Sequence, residues 1–294
     1  MRITTKFALV TTSVATLLLS AACGSSSLSG GDASPAPTTS VSADADLNAK
    51  LPEKIRSAGK IKIGTDASYA PNQFTEGDKI VGSEVDLFTA VAKKLGVEAE
   101  WENAPFASLI PGVTSAKYDI SVSSFTINDE RLQEVQMVSY FSAGTQWATA
   151  AGNPKGIDPE NPCGKTVAVQ KATVQDLDDL PVRQKKCGSN PIKIQQYAGQ
   201  DTATAAVATG KADAMLADSP VTAYAVTKSG GKLELLGDVY DAAPYGVVVA
   251  KDQPELAQAV ADALTAMKAD GSYAEVLKTW GTSAGAVDTF EVKP

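Results

Sequence analysis

The strongest constraint on the fold of this chain is an alternation of short strand patterns and helical patterns that begins near residue 60. Residues 60–64 alternate polar and apolar side chains, which predicts a strand, and residues 85–95 carry apolar side chains at helical spacing. Further strands are predicted at 98–102, 118–123, 164–169 and 212–216, and further helices at 106–116, from about 173, and at 200–210, 254–270 and 272–280. Similar strand-helix-strand units begin near residues 60 and 164, as they would in two α/β lobes, so we predict an α/β fold with one mainly parallel sheet or with two, one in each lobe.

The first 23 residues have the pattern of a secretory leader. Arg2 and Lys6 precede an apolar run at 7–19, and small residues lead into Cys23. The run is too short for a membrane-spanning helix, which needs about 20 apolar residues. Residues 19–23 resemble the lipobox of bacterial lipoproteins. We therefore predict a signal peptide at 1–22 and a lipid on Cys23, with ordinary secretion as the alternative.

The segment after Cys23 has the composition of a flexible tether. Residues 24–45 are almost entirely small or polar, and Leu28 and Val41 are the larger apolar residues in the segment. Such a segment cannot bury enough apolar surface to offset the entropy lost on ordering. We expect residues 23–45 to be a disordered tether that holds a folded domain near the outer face of the membrane.

The balance of ionisable residues excludes several classes of function. The chain has 34 acidic and 26 basic side chains, which argues against nucleic acid as a partner. It contains no histidine, which removes Ser-His-Asp and Cys-His catalysis and most zinc chemistry, so no metal or cofactor is expected. Cys163 and Cys187 lie in an exported chain, and a structural disulfide between them is expected to contribute about 3 kcal/mol.

Polar side chains gather just after the predicted strands. In open α/β sheets, ligands bind beyond the carboxyl ends of the strands, so these residues are candidates for a ligand site. The candidates are Asp66 and Tyr69 after the first strand, Ser123, Ser124, Thr126 and Arg131 after the strand that ends near residue 122, residues 170–175 after the first strand of the second lobe, and Asp218 after the strand at 212–216.

A specific family resemblance is carried by residues 82–87, Gly-Ser-Glu-Val-Asp-Leu, together with the apolar positions at 91, 92 and 95. The segment resembles the signature of bacterial solute-binding proteins of the polar amino acid family, the extracytoplasmic receptors of ABC importers. Further matches occur in order along the chain, at 64–71, 110–111, 117–119, 123–127, 130–131, 164–169, 212–214, 218, 245–246 and 269–273. The resemblance extends over about residues 55–282.

The resemblance implies a type II periplasmic-binding-protein-like clamp with the ligand between two lobes. Lobe one would hold residues 46–143 and 242–294, and lobe two would hold residues 144–241. Two crossing segments near 142–146 and 238–245 would serve as hinges for closure around the ligand. The implied partners are an amino acid and the permease and ATPase of an ABC importer, and the protein itself is expected to be a monomer.

Two charged residues match the family positions that bind the ligand backbone. Arg131 matches the arginine that takes the α-carboxylate, for which a planar guanidinium supplies two parallel hydrogen bonds. Asp218 matches the aspartate that pairs with the α-ammonium. Ser124 and Thr126 match positions that complete these contacts through hydroxyl or backbone groups.

The remaining matched positions concern the second lobe and the ligand side chain. Thr173 stands at a predicted helix start whose free amides bind anions, with Ala172 where the family usually has glycine, and Gln175 is a weaker candidate. Tyr69 and Phe106 match positions that enclose the ligand side chain, and Asp66 and Gln170 match positions near its tip. The resemblance therefore implies a polar or basic amino acid as the ligand. An acidic amino acid is disfavoured because, apart from Lys171, no second cationic group accompanies Arg131 at the predicted site.

Three alternatives use the same fold. Some proteins of this fold are cyclohexadienyl dehydratases, for which Asp66 or Asp218 would be the general acid. A ligand-sensing module that signals to a membrane protein is the second alternative, and a ligand other than an amino acid is the third. We expect a binding protein and not an enzyme.

Overall fold

The computed structural model describes residues 41–294. The helices are α1 (Ala45–Ala49), α2 (Glu53–Ala58), α3 (Ser83–Lys94), α4 (Leu109–Thr114), α5 (Asp129–Glu134), α6 (Leu180–Lys186), α7 (Gln200–Ala208), α8 (Ser219–Lys228), α9 (Pro254–Ala269) and α10 (Ser272–Thr279). The strands are β1 (Lys60–Thr65), β2 (Ser68–Tyr69), β3 (Gln73–Glu76), β4 (Lys79–Val81), β5 (Glu98–Asn103), β6 (Ile120–Ser121), β7 (Val135–Ala150), β8 (Thr166–Gln170), β9 (Lys193–Tyr197), β10 (Ala214–Asp218), β11 (Leu233–Ala250) and β12 (Val292–Lys293).

The predicted signal peptide, Cys23 and most of the predicted tether lie outside the described residues. The last residues of the tether, 41–45, are described and are not disordered. Val41 is buried in the core, and the side chain of Asp44 caps α1 by accepting hydrogen bonds from the amides of Asp46 and Leu47. The folded region therefore begins before residue 46, because one valine in a small-residue segment finds an apolar surface to cover. No helix among residues 41–294 has the length and apolar character needed to cross a membrane.

The main sheet has a mixed arrangement. Its strand order is β5-β1-β6-β11-β7-β10-β8-β9. We call β5, β1 and β6, with their helices, the β1 side, and β10, β8 and β9 the β8 side. The strands within each side are parallel to one another, as the sequence pattern predicts.

Two long antiparallel strands, β7 and β11, join the sides. They pair along their length, from Leu233 opposite Ala150 to Ala250 opposite Val135, with irregularities in register between Leu236 and Gly246. Gly144 lies in this irregular stretch, where a Cβ atom would come within 2.5 Å of the Tyr240 carbonyl oxygen. The predicted crossing segments at 142–146 and 238–245 are thus parts of continuous strands. Local patterns missed these strands. β7 is buried on both faces and therefore does not alternate, whereas most of β11 before residue 245 is exposed or half-buried.

The core on each side fills both faces of the sheet. On the β8 side, Val167 and Val169 of β8 join one apolar cluster, and Ala168 between them joins the cluster on the opposite face. Ile61 and Ile63 of β1 pack into the largest cluster, which α3, α9 and α10 cover. The parallel pairing of the strands places their carboxyl ends at one edge of the sheet on each side.

The local elements near the strand ends are less regular than the sequence predicts. The helix expected at 106–116 opens as a 3₁₀ turn, Phe106–Ser108, before α4. The helix expected from about residue 173 opens as a π-helical turn, Gln175–Asp179, before α6. The strand expected at 118–123 is reduced to Ile120–Ser121. The two irregular turns and the shortened strand all lie beside predicted ligand residues.

The predicted disulfide is present. Cys163 and Cys187 are bonded, with their Cα atoms 5.2 Å apart. The bond joins the turn that precedes β8 to the C-terminal end of α6 and closes the loop between them. In the chain-entropy account, a loop of this length stabilises the folded state by about 3 kcal/mol.

Two non-glycine residues beside the strand ends have left-handed backbones. Ser124 has φ of 53° and Ala172 has φ of 67°. Residues with a Cβ atom rarely adopt this region because the Cβ approaches the following carbonyl oxygen. Ala172 is the position where the resemblance leads us to expect glycine, and the conformation explains that preference.

Replacing Ala172 by glycine is expected to stabilise the protein. Left-handed backbone costs alanine about 1–2 kcal/mol, and glycine costs about 0.5–1 kcal/mol in chain entropy, so the net gain is about 0.5–1 kcal/mol. Denaturant unfolding measures it. Ala205→Gly, at an exposed position within α7, is the matched control and should lose about 1 kcal/mol. An equal loss in both variants would contradict this account of Ala172.

Candidate functional site

One cavity lies between the β1 side and the β8 side, at the strand ends. The space between its lining atoms, including the part open to solvent, is about 290 Å³. All eleven residues predicted as ligand contacts line it, together with Val174, which the sequence did not indicate: Asp66, Tyr69, Phe106, Ser123, Ser124, Thr126, Arg131, Gln170, Thr173, Gln175 and Asp218. The structure therefore brings the predicted set together, from segments that are far apart in the chain.

Asp66 is held by hydrogen bonds to both carboxylate oxygens. Its Oδ1 accepts from the amide and the hydroxyl of Ser68, at 3.1 and 2.6 Å. Its Oδ2 accepts from the Phe106 amide at 2.8 Å and from Gln170 Nε2 at 3.0 Å. Burial raises the pKa of Asp66, and these hydrogen bonds oppose the rise. The contact with Gln170 is a direct bond between the two sides.

Arg131 lies at the start of α5, where Asn128 caps the helix through its side-chain oxygen. The guanidinium donates to the Thr126 carbonyl oxygen at 2.7 Å and lies over the rings of Phe106 and Phe125, 5.5 and 5.3 Å from their centroids. Burial lowers the pKa of Arg131, and the nearby carboxylate of Asp218 acts in the opposite direction. No carboxylate within residues 41–294 forms an ion pair with this guanidinium, which leaves donors for an anion in the cavity.

Asp218 ends β10 and is fixed from three directions. Its Oδ1 accepts from Gln175 Nε2 at 2.8 Å, and its Oδ2 accepts from the Tyr245 hydroxyl at 2.6 Å. Its backbone amide donates to the Tyr69 hydroxyl at 3.1 Å, which is a second direct bond between the sides. Burial raises the pKa of Asp218, while the hydrogen bonds and the charge of Arg131 lower it.

Ser123 and Thr173 help to build the walls of the cavity. Ser123 Oγ accepts from the Asp66 amide and from Gln73 Nε2, both at 3.0 Å. Thr173 Oγ1 donates to the Gln170 carbonyl oxygen at 2.8 Å. The amide of Ala172 donates to the carboxylate of Asp176 at 3.0 Å, which closes the turn that precedes the π-helical segment. Each hydroxyl thus has a partner in the protein as well as a position on the cavity.

Tyr245 was not among the predicted site residues. It lies on β11, and its hydroxyl orients the carboxylate of Asp218. Tyr245 comes close to Asp218 because β11 pairs with β7 and because Tyr245 forms a β-bridge with Thr126. The one available signal was the match at residues 245–246, which did not indicate a role. Lys171, the further cation noted in the sequence, is exposed and is not among the lining residues. Residues 41–294 contain no cluster of three side chains that could hold a metal ion.

Comparison with known proteins gives a consistent result over most of the chain. A family model of the bacterial extracellular solute-binding proteins, family 3, matches residues 61–283. The arginine-binding protein ArgT of Corynebacterium glutamicum is 37% identical over 247 residues, which cover 83% of this chain and 81% of that protein.

Solved structures agree with the fold. An ancestral arginine-binding protein bound to arginine superposes with a TM-score of 0.71 and 30% identity, over 76% of this chain and 98% of that one. An ancestral amino acid-binding protein described as a precursor of cyclohexadienyl dehydratase gives a TM-score of 0.69 at 30% identity, over 78% and 98% of the two chains. The structural neighbours are two-lobed proteins of the type II periplasmic binding fold, which confirms the predicted fold class. The chain belongs to the bacterial extracellular solute-binding proteins, family 3.

Proposed function

We propose that this protein captures a polar amino acid with a cationic side chain in the cavity and delivers it to the permease and ATPase of an ABC importer. The observation that carries the proposal is the set of charges on the cavity wall. Among the lining residues, Arg131 is positive, and Asp66 and Asp218 are negative. An amino acid zwitterion supplies one charge of each sign, and a cationic side chain supplies the one further charge that balances the wall.

The proposed roles follow from the chemistry of each group. Arg131 binds the α-carboxylate, and Asp218, held by Gln175 and Tyr245, binds the α-ammonium. Asp66 receives the cationic end of the side chain. Burial makes each of these charges costly when it is unpaired, so the ligand supplies counter-charges as well as contacts.

Aromatic residues and the second wall complete the proposed contacts. Tyr69 and Phe106 cover the aliphatic stem of the ligand, while Ser124, Thr126 and Thr173 supply hydroxyl and amide groups to its backbone. The lobes are proposed at the predicted boundaries, 46–143 with 242–294 and 144–241. Asp66–Gln170 and Tyr69–Asp218 are among the contacts that hold one lobe to the other.

The arginine-binding relatives support a cationic ligand. The second candidate function is that of a cyclohexadienyl dehydratase, because a precursor of such an enzyme shares the fold. The hydrogen bonds favour binding. Both oxygens of Asp66 and both oxygens of Asp218 accept hydrogen bonds from protein donors. These hydrogen bonds oppose the larger effect of burial, which raises the pKa of both carboxyls, and so they disfavour the protonated form that a general acid requires. Assay of the purified protein for release of water from a cyclohexadienyl substrate tests the second candidate.

Removal of the guanidinium is expected to abolish high affinity. Arg131→Ala leaves the ligand carboxylate unpaired in a buried site, at a cost of about 3–5 kcal/mol, which weakens binding by two to three orders of magnitude or more. Isothermal titration of protein stripped of bound ligand by unfolding and refolding measures this against the twenty amino acids. Lys171→Ala removes an exposed cation outside the cavity and should change affinity by less than about threefold. Near-native affinity in Arg131→Ala would end the site assignment.

Selectivity for cationic side chains is expected to depend on Asp66. Asp66→Asn keeps an oxygen to accept from the Phe106 amide but removes the charge, so the affinity for arginine should fall by about 100-fold. The affinity for glutamine, which carries no side-chain charge, should change by less than about fivefold. The ratio of the two dissociation constants is the measured quantity. An unchanged ratio would show that Asp66 does not contact the ligand tip.

Attachment to the membrane is proposed through a lipid on Cys23. In the native host, Cys23→Ser should move the protein from the membrane fraction to the soluble extracytoplasmic fraction or the medium. The wild-type protein should carry a lipid mass on its first mature residue. Retention of the wild-type protein in the soluble fraction would instead support ordinary secretion with cleavage near residue 22.

A further inference from the structure

Glu84 is a buried acid that the binding site as described does not use. It lies in the first turn of α3, within the segment 82–87 that carries the sequence signature, and its residue surface is 4% exposed. No lysine or arginine of residues 41–294 forms an ion pair with it. A carboxylate so placed is costly unless other groups compensate for its lost hydration.

The compensation comes from Ser124, a residue on the cavity wall. Glu84 Oε2 accepts from the Ser124 amide at 3.0 Å, and Glu84 Oε1 accepts from the Ser124 hydroxyl at 2.8 Å. Ser124 has the left-handed backbone, with φ of 53°, that side chains with a Cβ disfavour. Glu84 therefore holds a strained residue at the cavity through both of its donors.

The direction of each hydrogen bond requires an acceptor at Glu84. Ser124 Oγ accepts from Asn72 Nδ2 at 2.9 Å and lies 3.4 Å from Gln73 Nε2, and these amide nitrogens are donors only. The single hydroxyl proton of Ser124 is thus left for Glu84. Ser83 Oγ donates to Asn72 Oδ1 at 3.2 Å, which orients that amide. An ionised carboxylate is the group that accepts both the amide and the hydroxyl proton at once.

We propose that Glu84 is a positioning residue for the ligand, whose ionised carboxylate holds Ser124 in the conformation that forms the wall between Ser123 and Thr126. The inference rests on the proposed function, because it assumes that the cavity binds an amino acid. Glu84 itself does not line the cavity and acts only through Ser124.

The surroundings of Glu84 couple its protonation to the ligand. Burial raises the pKa of Glu84 to about 7, and the hydrogen bonds from Ser124 oppose the rise. The groups that face it are Tyr140 on β7, whose hydroxyl lowers the pKa of Glu84, Asp218 on β10, whose negative charge raises it, and the hydroxyls of Tyr69 and Tyr245. An ammonium bound at Asp218 offsets that negative charge, so ligand binding favours the ionised form of Glu84.

The expected pH dependence follows from this coupling. When Glu84 is protonated, its hydroxyl faces one of the two Ser124 donors, which then lacks an acceptor. The protein with protonated Glu84 therefore binds the amino acid weakly and must release this proton to bind it tightly. With the pKa near 7, affinity should fall about twentyfold between pH 7.5 and 5.5. The chain has no histidine, and neither arginine nor glutamine titrates in this range, so the usual source of such a dependence is absent.

Folding stability should change in the opposite sense. The pKa of Glu84 is raised in the folded state, so the folded protein binds more protons than the unfolded chain between about pH 4.5 and 7. The contribution of Glu84 to the free energy of unfolding is therefore largest below this window and is lost as the pH rises through it. In the protein without ligand, ionised Glu84 is therefore less favourable to folding than protonated Glu84, although the ionised form is the one that binds ligand.

The test is a pair of titrations with L-arginine and L-glutamine, on the wild-type protein and Glu84→Gln, at pH 5.5 to 7.5. The amide of glutamine can accept only one of the two Ser124 donors, so affinity at pH 7.5 should fall by at least tenfold and the dependence on pH should flatten. Glu98→Gln, an exposed glutamate on β5, is the matched control and should behave as the wild type. The flattening separates Glu84 from Asp66 and Asp218, which remain in the variant.

A second measurement needs no variant. Titration of the wild-type protein at pH 7 in two buffers of different ionisation enthalpy reports the protons released on binding, and about half a proton per ligand is expected. No proton release together with affinity independent of pH would overturn the role of Glu84 while leaving the proposed function intact. No binding of either amino acid at any pH would remove the proposed function, and this inference with it.

Discussion

The pairing of β7 with β11 is the interaction on which the rest of the structure depends. These two antiparallel strands are the continuous connection between the β1 side and the β8 side, and each carries one set of parallel strands at its outer edge. The register is irregular between Leu236 and Gly246, and Gly144 on the facing strand lets the backbones approach. Because the carboxyl ends of both sets of strands meet beside this irregular stretch, one cavity collects polar residues from both sides.

Burial of charge sets the chemistry of that cavity. Arg131, Asp66 and Asp218 lie where water is largely excluded. Burial lowers the pKa of Arg131 and raises the pKa of the two aspartates, which in each case favours the neutral form. Hydrogen bonds to the two carboxylates favour their ionised forms and oppose part of this effect of burial. A ligand with charges of both signs relieves the remaining penalty, which gives a physical reason for a clamp that closes around an amino acid and not around an apolar compound.

Hydrogen-bonded residues behind the wall are as important as the wall itself. Tyr245 orients Asp218, and Glu84 orients Ser124, although neither lines the cavity. Such supporting contacts keep side chains in one geometry before the ligand arrives, so less conformational freedom is lost on binding. The segment that carries the family signature therefore contacts the wall of the cavity, through Glu84 and Ser124, as well as packing α3.

Sequence by itself determined the α/β class, the disulfide and the residue types at the strand ends, because periodicity and strand-end chemistry are local properties of the chain. The sequence-based prediction started the folded region at residue 46, too late to include the buried Val41, and it missed the long antiparallel strands β7 and β11. Only the tertiary structure decided the partners: Gln170 reaches Asp66 across 104 positions, and Tyr245 reaches Asp218 across 27. Those contacts are set by strand order and register, which arise from pairing between distant segments and leave no periodic trace in either segment alone.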